Sequence, residues 1–313
     1  MRPCVSTSAV GDKTRRAARD NDGSMTVSIV TGANSGIGKA IAEQLARLGH
    51  EVAIVCRSEE RGLAALADLE RAATEAGAAD AGARARLFLA DLSTQADVRR
   101  VAGELSTAYP KIDVLVNNAG LYVPTRRLTP DGLETMFALN HLGYFLLTAL
   151  LAPRLEAGGG GRVVSTSSVG HKAGHVDFDD LSCERSFSAM RQYCTTKLEN
   201  VLFTRELHRR AHARGIVASC FHPGAVASNF AQSEPGAFGA LVRLGKIFLR
   251  SPERAARTGV LLATAKETSD AGGKYYANEK ARTPSREAQD GDVARKLWDV
   301  SERLTSVRYP PAA

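Results

Sequence analysis

Long apolar runs, paired cysteines and basic runs interleaved with aromatic residues are all absent from this chain of 313 residues. Without a run of 18 apolar residues, we expect no membrane span. The five cysteines are irregularly spaced, with no C-x-x-C pair and no His/Cys spacing typical of zinc, so we expect reduced thiols, no metal and a cytoplasmic protein. The net charge of +7 comes from scattered Lys and Arg, which argues against a nucleic-acid partner.

The first 24 residues are polar and contain no apolar core, so they do not resemble a secretory signal. Asp12, Asp20 and Asp22 argue against a transit peptide. We expect residues 1–24 to be a disordered extension or the product of an upstream mis-start. Residues 25–313 are expected to form one domain, because no linker divides them.

Apolar, strand-like runs alternate with helical stretches from residue 26 onward. Several runs are rich in Val and Ile on both faces, which is typical of a parallel sheet covered by helices on each side. The alternation predicts an α/β fold with a doubly wound, mostly parallel sheet of about seven strands. The predicted strands are 27–31, 51–56, 85–90, 112–116, 162–167, 216–221 and 274–277. Ligands of such sheets bind beyond the carboxyl ends of the strands.

A glycine-rich turn with the spacing G-x3-G-x-G follows the first predicted strand and opens a helix. Gly32 permits the sharp turn, Gly36 lets the backbone approach an anion, and Gly38 lets the helix pack on the strand. The helix N-terminus offers unpaired N–H groups to a phosphate, although such turns also occur without a ligand. The predicted phosphate-binding residues are Gly32, Asn34, Ser35, Gly36, Ile37 and Gly38.

Arg57 follows the second predicted strand, where an NAD site would carry Asp or Glu for the ribose 2′-hydroxyl. Glu59 and Glu60 lie past the strand and are expected to begin the next helix. A guanidinium suits a 2′-phosphate, and Lys39 is expected to reach the same region. We therefore predict NADP(H) in preference to NAD(H); the alternative is that Arg57 is a surface residue.

Polar residues also follow the third and fourth strands. Asp91, before Leu92, is a candidate acceptor for an adenine amino group; the alternative, the N-cap of a helix at 94–108, falls more naturally on Ser93. Asn118, Ala119 and Gly120 could tie strands together beside a cofactor or could form a simple turn.

Asn140 lies within an apolar helical run, so its amide needs hydrogen-bond partners. It is either a structural residue or holds a water or lysine at an active site. Tyr193 and Lys197 are four residues apart on a predicted helix and share a face. The ammonium is expected to lower the pKa of the phenol, which ordinarily titrates near 10. The same spacing also occurs on ordinary helix surfaces.

These motifs together resemble the short-chain dehydrogenase/reductase superfamily, in its single-domain branch with a Rossmann fold. The resemblance spans residues 26–307 and rests on TGANSGIG, DL, NNAG, the N of ALNHLGYF, SSV, YCTTK and HPGAVAS in the family's order. The stretches CR, YCTTKLENVLFTRELHRR and KLWDVSERLT resemble the retinol dehydrogenase-like group. The membrane anchor of many of its members is not found, so retinoid or steroid specificity is not expected to follow.

The resemblance implies a catalytic role for four residues. Tyr193 would be the general acid/base, Lys197 would bind the nicotinamide ribose, Ser168 would bond the substrate oxygen, and Asn140 would hold a relay water. Val226 would bond the carboxamide through its backbone. Further implied cofactor contacts are Asp91, Leu92, Asn118, Ala119, Gly120, Tyr193, Lys197, Pro223, Gly224 and Ser228, the last replacing a more usual Thr. Dimers or tetramers are usual for this resemblance.

We therefore expect an NADP(H)-dependent oxidoreductase that interconverts an alcohol with an aldehyde or ketone of an apolar small molecule. Two alternatives stay open: an NADP(H)-binding sensor or scaffold without turnover, and a C=C double-bond reductase on the same fold. Residues 229–250 are predicted to form a lid over an apolar pocket, a partner face or a membrane-surface contact. Residues 176–188 are predicted to border the substrate mouth, and the helix at 286–304 to serve the core or an interface.

Overall fold

The computed structural model describes residues 25–78, 84–157, 160–224, 251–264 and 272–309. The predicted extension 1–24 and the predicted lid 229–250 lie outside these ranges. The described strands form one sheet in the order β3-β2-β1-β4-β5-β6-β7-β8. They are β1 Val27–Thr31, β2 Glu51–Cys56, β3 Ala85–Leu89, β4 Val114–Asn117, β5 Arg162–Thr166, β6 Val217–His222, β7 Tyr275–Ala277 and β8 Lys280–Arg282.

Strands β1 to β7 pair in parallel, and β8 pairs antiparallel with β7. This confirms the predicted doubly wound α/β fold, and the described residues form eight strands where about seven were predicted. A two-residue turn with positive φ at Asn278 (55°) and Glu279 (62°) joins β7 to β8. The sequence did not indicate β8, because its three residues are all exposed and carry no apolar pattern.

Helices cover both faces of the sheet. They are α1 Gly36–Arg47, α2 Glu59–Glu75, α3 Gln95–Ala108, α4 Thr135–Glu156, α5 Ala189–Ala211, α6 Pro252–Thr264 and α7 Gly291–Thr305. Alternate strand residues enter opposite cores. Val30 and Val116 pack with α1, α2 and α6, whereas Ile29 and Leu115 pack with α3, α4, α5 and α7.

Helix α4 is long and apolar enough to cross a membrane by length and composition alone. However, 83% of its most apolar 18-residue window is buried inside the fold. Phe145 of α4 packs edge-on against Trp298 of α7, with ring centroids 4.9 Å apart. Such burial is what a core helix requires, so α4 is a weak candidate for a span.

Two predicted helix boundaries need correction. Helix α3 begins at Gln95 with Thr94 as its N-cap, not Ser93. The predicted helix at 286–304 is a 3₁₀ turn, Glu287–Gln289, followed by α7, whose N-cap Asp290 accepts two backbone N–H bonds. Trp298 is buried between α4 and α5, so α7 belongs to the core, as predicted.

Candidate active site

The glycine-rich turn lies at the carboxyl end of β1 and leads into α1. Gly36 has φ +58°, and a Cβ on it would meet no atom within 4 Å, so the backbone faces open space. A Cβ on Gly38 would overlap the Asn118 amide nitrogen, so only glycine lets α1 approach β4 this closely. Ser35 makes no side-chain cap, and no acidic residue lies in the first turn. These features fit a dinucleotide phosphate.

Thr31 links this turn to the fourth strand, and sequence reasoning missed it. Its Oγ1 accepts hydrogen bonds from the backbone nitrogens of Asn118 (2.9 Å) and Ala119 (3.0 Å). The Asn118 amide donates to the Thr31 carbonyl at 3.0 Å and accepts from Thr166 Oγ1 at 3.3 Å. Of the two alternatives for the NNAG stretch at 117–120, the structure shows the one in which the Asn118 amide ties strands together.

Arg57 extends from the end of β2 with 65% of its side chain exposed. Its Nη1 lies 3.7 Å from Asp91 Oδ2, a loose pair that leaves the guanidinium accessible. Asp91 Oδ1 accepts from the nitrogen (3.0 Å) and hydroxyl (2.7 Å) of Ser93. Lys39 does not join this pair: it binds Asp68 of α2 and lies 3.6 Å from Glu43.

The neighbouring positions at this edge are mixed in character. Leu92 is buried, and its carbonyl oxygen would lie 2.6 Å from a Cβ on Gly143, so α4 passes close to the backbone of Leu92. A Cβ on Gly120 would lie 3.3 Å from Asn140 Oδ1 and 3.5 Å from Lys197 Nζ, so this glycine adjoins the catalytic candidates.

Asn140 is fully buried in the π-helical segment Ala138–Leu142 of α4. Its Oδ1 accepts from the Leu121 nitrogen at 2.9 Å. Its Nδ2 donates to the Leu121 carbonyl at 3.0 Å and to Thr196 Oγ1 at 3.1 Å. These bonds satisfy the buried amide, and the alternative, in which Asn140 holds a water or lysine at an active site, stays a prediction.

Tyr193, Lys197 and Ser168 meet where α5 crosses the end of β5. Lys197 Nζ lies 5.5 Å from the centre of the Tyr193 ring and donates to the Thr166 carbonyl at 3.4 Å. The Ser168 hydroxyl accepts from the Gly170 nitrogen at 3.1 Å and hydrogen-bonds the Tyr193 phenol. The geometry therefore assembles a phenol, an ammonium and a hydroxyl around one point.

Burial dominates the pKa values of this group. It raises the pKa of Tyr193 to about 12, against the lowering effect of the Ser168 hydrogen bond. It lowers the pKa of Lys197 to about 8. The predicted lowering of the Tyr193 pKa by Lys197 is therefore not seen, because both groups are desolvated.

Three polar side chains and one aromatic ring around the pair were not predicted as site residues, although two of them, Ser167 and Thr196, lie within the SSV and YCTTK motifs. Ser167 Oγ donates to the Lys197 carbonyl (2.7 Å), and Thr196 Oγ1 donates to the Tyr193 carbonyl (2.8 Å). Asn200 Nδ2 donates to the Thr166 carbonyl (3.1 Å), and the Tyr122 ring meets Tyr193 edge-on, with centroids 6.0 Å apart. The Ser167 and Asn200 bonds fix α5 against the end of β5.

Pro223 and Gly224 follow β6 at the same edge, and Gly224 has φ +94°. Val226 and Ser228 lie outside the described residues. Within the described ranges, four cysteines are free and no group of three or more His, Cys, Asp or Glu side chains could hold a metal ion.

Comparisons with known proteins agree with this geometry. A family profile described as short chain dehydrogenase matches residues 26–236. Retinol dehydrogenase 13 from Homo sapiens is 39% identical over 288 residues, covering 90% of this chain and 85% of that protein.

Solved structures match as well. A crystal structure of an uncharacterised protein from Mycobacterium paratuberculosis has 32% identity and a TM-score of 0.73, covering 91% of this chain and 95% of that one. A short chain dehydrogenase from Burkholderia cenocepacia J2315, solved in complex with NADP, has 25% identity and a TM-score of 0.62, covering 85% and 98%.

Proposed function

The chain belongs to the short-chain dehydrogenase/reductase family, in its retinol dehydrogenase-like group, and from that premise we propose that it reduces apolar aldehydes or ketones with NADPH and catalyses the reverse oxidation. Membership makes it an oxidoreductase of the alcohol/carbonyl type that uses NAD(P). The choice of NADP(H), the substrate and the residue roles are the proposed parts.

We propose that the turn at 32–38 holds the cofactor's pyrophosphate and that Arg57 holds a 2′-phosphate. The exposed guanidinium at the end of β2 supports this preference, because no carboxylate occupies positions 55–57 to bind a free ribose hydroxyl. Further along the edge, Asn118, Gly120, Lys197 and residues 223–228 would hold the ribose and nicotinamide end. When bound, NADPH supplies the hydride.

Tyr193 is the proposed general acid in the reductive direction. Its raised pKa keeps the phenol protonated at neutral pH, so it can give its proton to the carbonyl oxygen that receives negative charge. Ser168 hydrogen-bonds the same phenol and is placed to donate to that oxygen. Lys197 stabilises the phenolate that results. In the oxidative direction, the phenolate takes the alcohol proton back.

Apolar side chains at the mouth support an apolar substrate. Val169, beside Ser168, is 53% exposed, and Met190, one turn before Tyr193, is 42% exposed. Tyr122 adds its ring edge against Tyr193. We propose that residues 25–313 form one domain, that 176–188 border this mouth, and that 229–250 cover it. A cytoplasmic location and a homodimer or homotetramer also remain predictions.

The meeting of Tyr193, Ser168 and Lys197 at one point carries the proposal. Its test follows NADPH oxidation by absorbance against all-trans-retinal, a long-chain aldehyde, a keto steroid, a quinone and a sugar ketone. We expect turnover of an apolar carbonyl compound, lost in Tyr193→Phe with NADPH binding retained. Tyr109→Phe, at the end of α3, is the matched control and should keep full activity. NADPH binding without any turnover would favour a sensor and overturn the proposed catalysis.

A further inference from the structure

A histidine outside the assigned catalytic set lies directly behind Ser168. His171 belongs to the 3₁₀ helix Val169–Ala173 and is fully buried. Its Nδ1 lies 2.7 Å from the carbonyl oxygen of Ser168. Its Nε2 accepts a hydrogen bond from the backbone nitrogen of Ser285 at 3.1 Å. Each ring nitrogen therefore contacts one backbone group.

These two partners determine the tautomer of His171. A backbone N–H can only donate, so Nε2 is unprotonated and accepts from Ser285. A carbonyl oxygen can only accept, so Nδ1 carries the hydrogen and donates it to Ser168. Burial lowers the pKa of His171, which agrees with a neutral ring. The imidazole thus bridges two chain segments in one fixed orientation.

Ser285 belongs to a short segment, residues 285–287, that we call the C-terminal clasp. Glu287 Oε1 accepts from the backbone nitrogen of Val176 at 2.9 Å, and Glu287 Oε2 lies 3.0 Å from His175 Nδ1. The C-terminal clasp therefore makes three hydrogen-bonded contacts with the segment after β5, at His171, His175 and Val176. It lies beyond residues 26–236, so the matched family pattern does not include it.

We propose that His171 is a positioning residue that holds Ser168 against Tyr193, so that the C-terminal clasp sets the geometry of the active site. The Ser168 hydroxyl hydrogen-bonds both the Gly170 nitrogen and the Tyr193 phenol, so the position of the Ser168 backbone determines both contacts. The kinetic consequences rest on the proposed function, whereas the hydrogen bonds of His171 do not.

The first experiment separates hydrogen bonding from packing, because the His171 ring also packs on Tyr275 with centroids 4.7 Å apart. His171→Phe keeps a ring and loses the donor, whereas His171→Asn keeps an amide donor at the position of Nδ1 and loses the ring. We expect kcat to fall about tenfold or more in His171→Phe and within about threefold in His171→Asn, with KM for NADPH nearly unchanged. The opposite order would show that only packing matters and would overturn the proposal.

A matched control and a double variant show whether the effect passes through Ser168. His175→Phe changes a histidine of the same loop that contacts Glu287 but not Ser168, and should keep kcat within about twofold. In a Ser168→Ala background, His171→Phe should lower the residual kcat by less than about twofold. If the kcat loss of the double variant equals the product of the two single losses, His171 does not act through Ser168 and the proposal is contradicted.

Nuclear magnetic resonance gives a readout that needs no turnover. In ¹⁵N-labelled full-length protein at neutral pH, the signal absent from His171→Phe should show protonated Nδ1 and unprotonated Nε2. Ser168→Ala should keep this signal, because the bond goes to the backbone carbonyl. The other tautomer or a doubly protonated ring would overturn the proposal. If none of the carbonyl compounds tested above is turned over, only the proposed function is rejected. The tautomer of His171 would still decide whether its ring holds Ser168.

Discussion

The two halves of the sheet's carboxyl edge are built differently. At the β2–β3 end, Arg57 is 65% exposed and its pair with Asp91 spans 3.7 Å. At the β4–β5 end, Lys197 is 4% exposed, and the backbone around it is held by Ser167, Thr196 and Asn200. The first half presents one loosely held cation, whereas the second is a buried hydrogen-bonded network.

This difference separates two kinds of residue. An exposed cation contributes to ligand binding more than to the stability of the fold, so its replacement should change cofactor choice and leave the fold intact. A buried group shares its partners with several elements, so its replacement should alter chemistry and local structure together. Variants on the two sides of the edge should therefore differ in which property changes, cofactor preference or turnover.

Lys197→Met should give the largest effect, a loss of turnover of about 10²–10⁴-fold, because the phenolate loses its ammonium. Burial lowers the Lys197 pKa to about 8, so below about pH 8 the folded protein holds a charged ammonium in a desolvated site, which costs stability. Stability from this group is therefore lowest below about pH 8 and rises toward pH 10.5. Thermal melting at pH 7 should show a Tm for Lys197→Met at or above that of the unmodified protein; a lower Tm would contradict the burial argument.

Arg57→Asp should change cofactor preference next most strongly. A charge-assisted hydrogen bond of about 1.5–3 kcal/mol corresponds to about 10- to 150-fold in affinity, so the ratio of kcat/KM for NADPH to that for NADH should fall by that factor. Arg61→Asp, an exposed arginine in the first turn of α2, controls for net charge and should leave the ratio within about twofold. An equal fall in both variants would show that long-range charge, not contact, sets the preference.

The pH profiles of the two directions should be opposite. Reduction needs protonated Tyr193, so its rate should be flat through neutral pH and decline above about pH 8, where Lys197 loses its proton. Oxidation needs the phenolate, so its rate should rise with pH by at most about tenfold per unit. Initial rates in both directions between about pH 6 and 10 test this, and parallel profiles would remove Tyr193 from the proton step.

Two glycines should give the smallest effects, of opposite sign. Gly38→Ala places a Cβ against Asn118 and should lower the free energy of unfolding by about 1–3 kcal/mol. Gly103→Ala, in α3 with no atom within 4 Å, should raise it by about 0.5–1 kcal/mol. Urea titrations of both variants test the pair; a stable Gly38→Ala would show that α1 can move away from β4.

Local sequence patterns predicted the features that depend on residues close in the chain, namely the strands and the faces of the helices. Helical periodicity alone placed Tyr193 and Lys197 on one face, and the apolar runs located seven strands to within one or two residues. The contact between His171 and Ser285 joins residues 114 apart and leaves no spacing to detect. The pKa of Tyr193 was predicted in the wrong direction for a similar reason, since burial is a property of the packed fold.

The central claim is that a hydride reaches a carbonyl carbon while Tyr193 supplies the proton. The most direct test supplies NADPH deuterated at the transferred position together with all-trans-retinal or the most reactive aldehyde of the panel, followed by mass spectrometry and NMR of the product. The account predicts one deuterium on the carbinol carbon and no labelled alcohol above background from Tyr193→Phe. Deuterium on a former double-bond carbon, with the carbonyl intact, would contradict it and identify a C=C reductase.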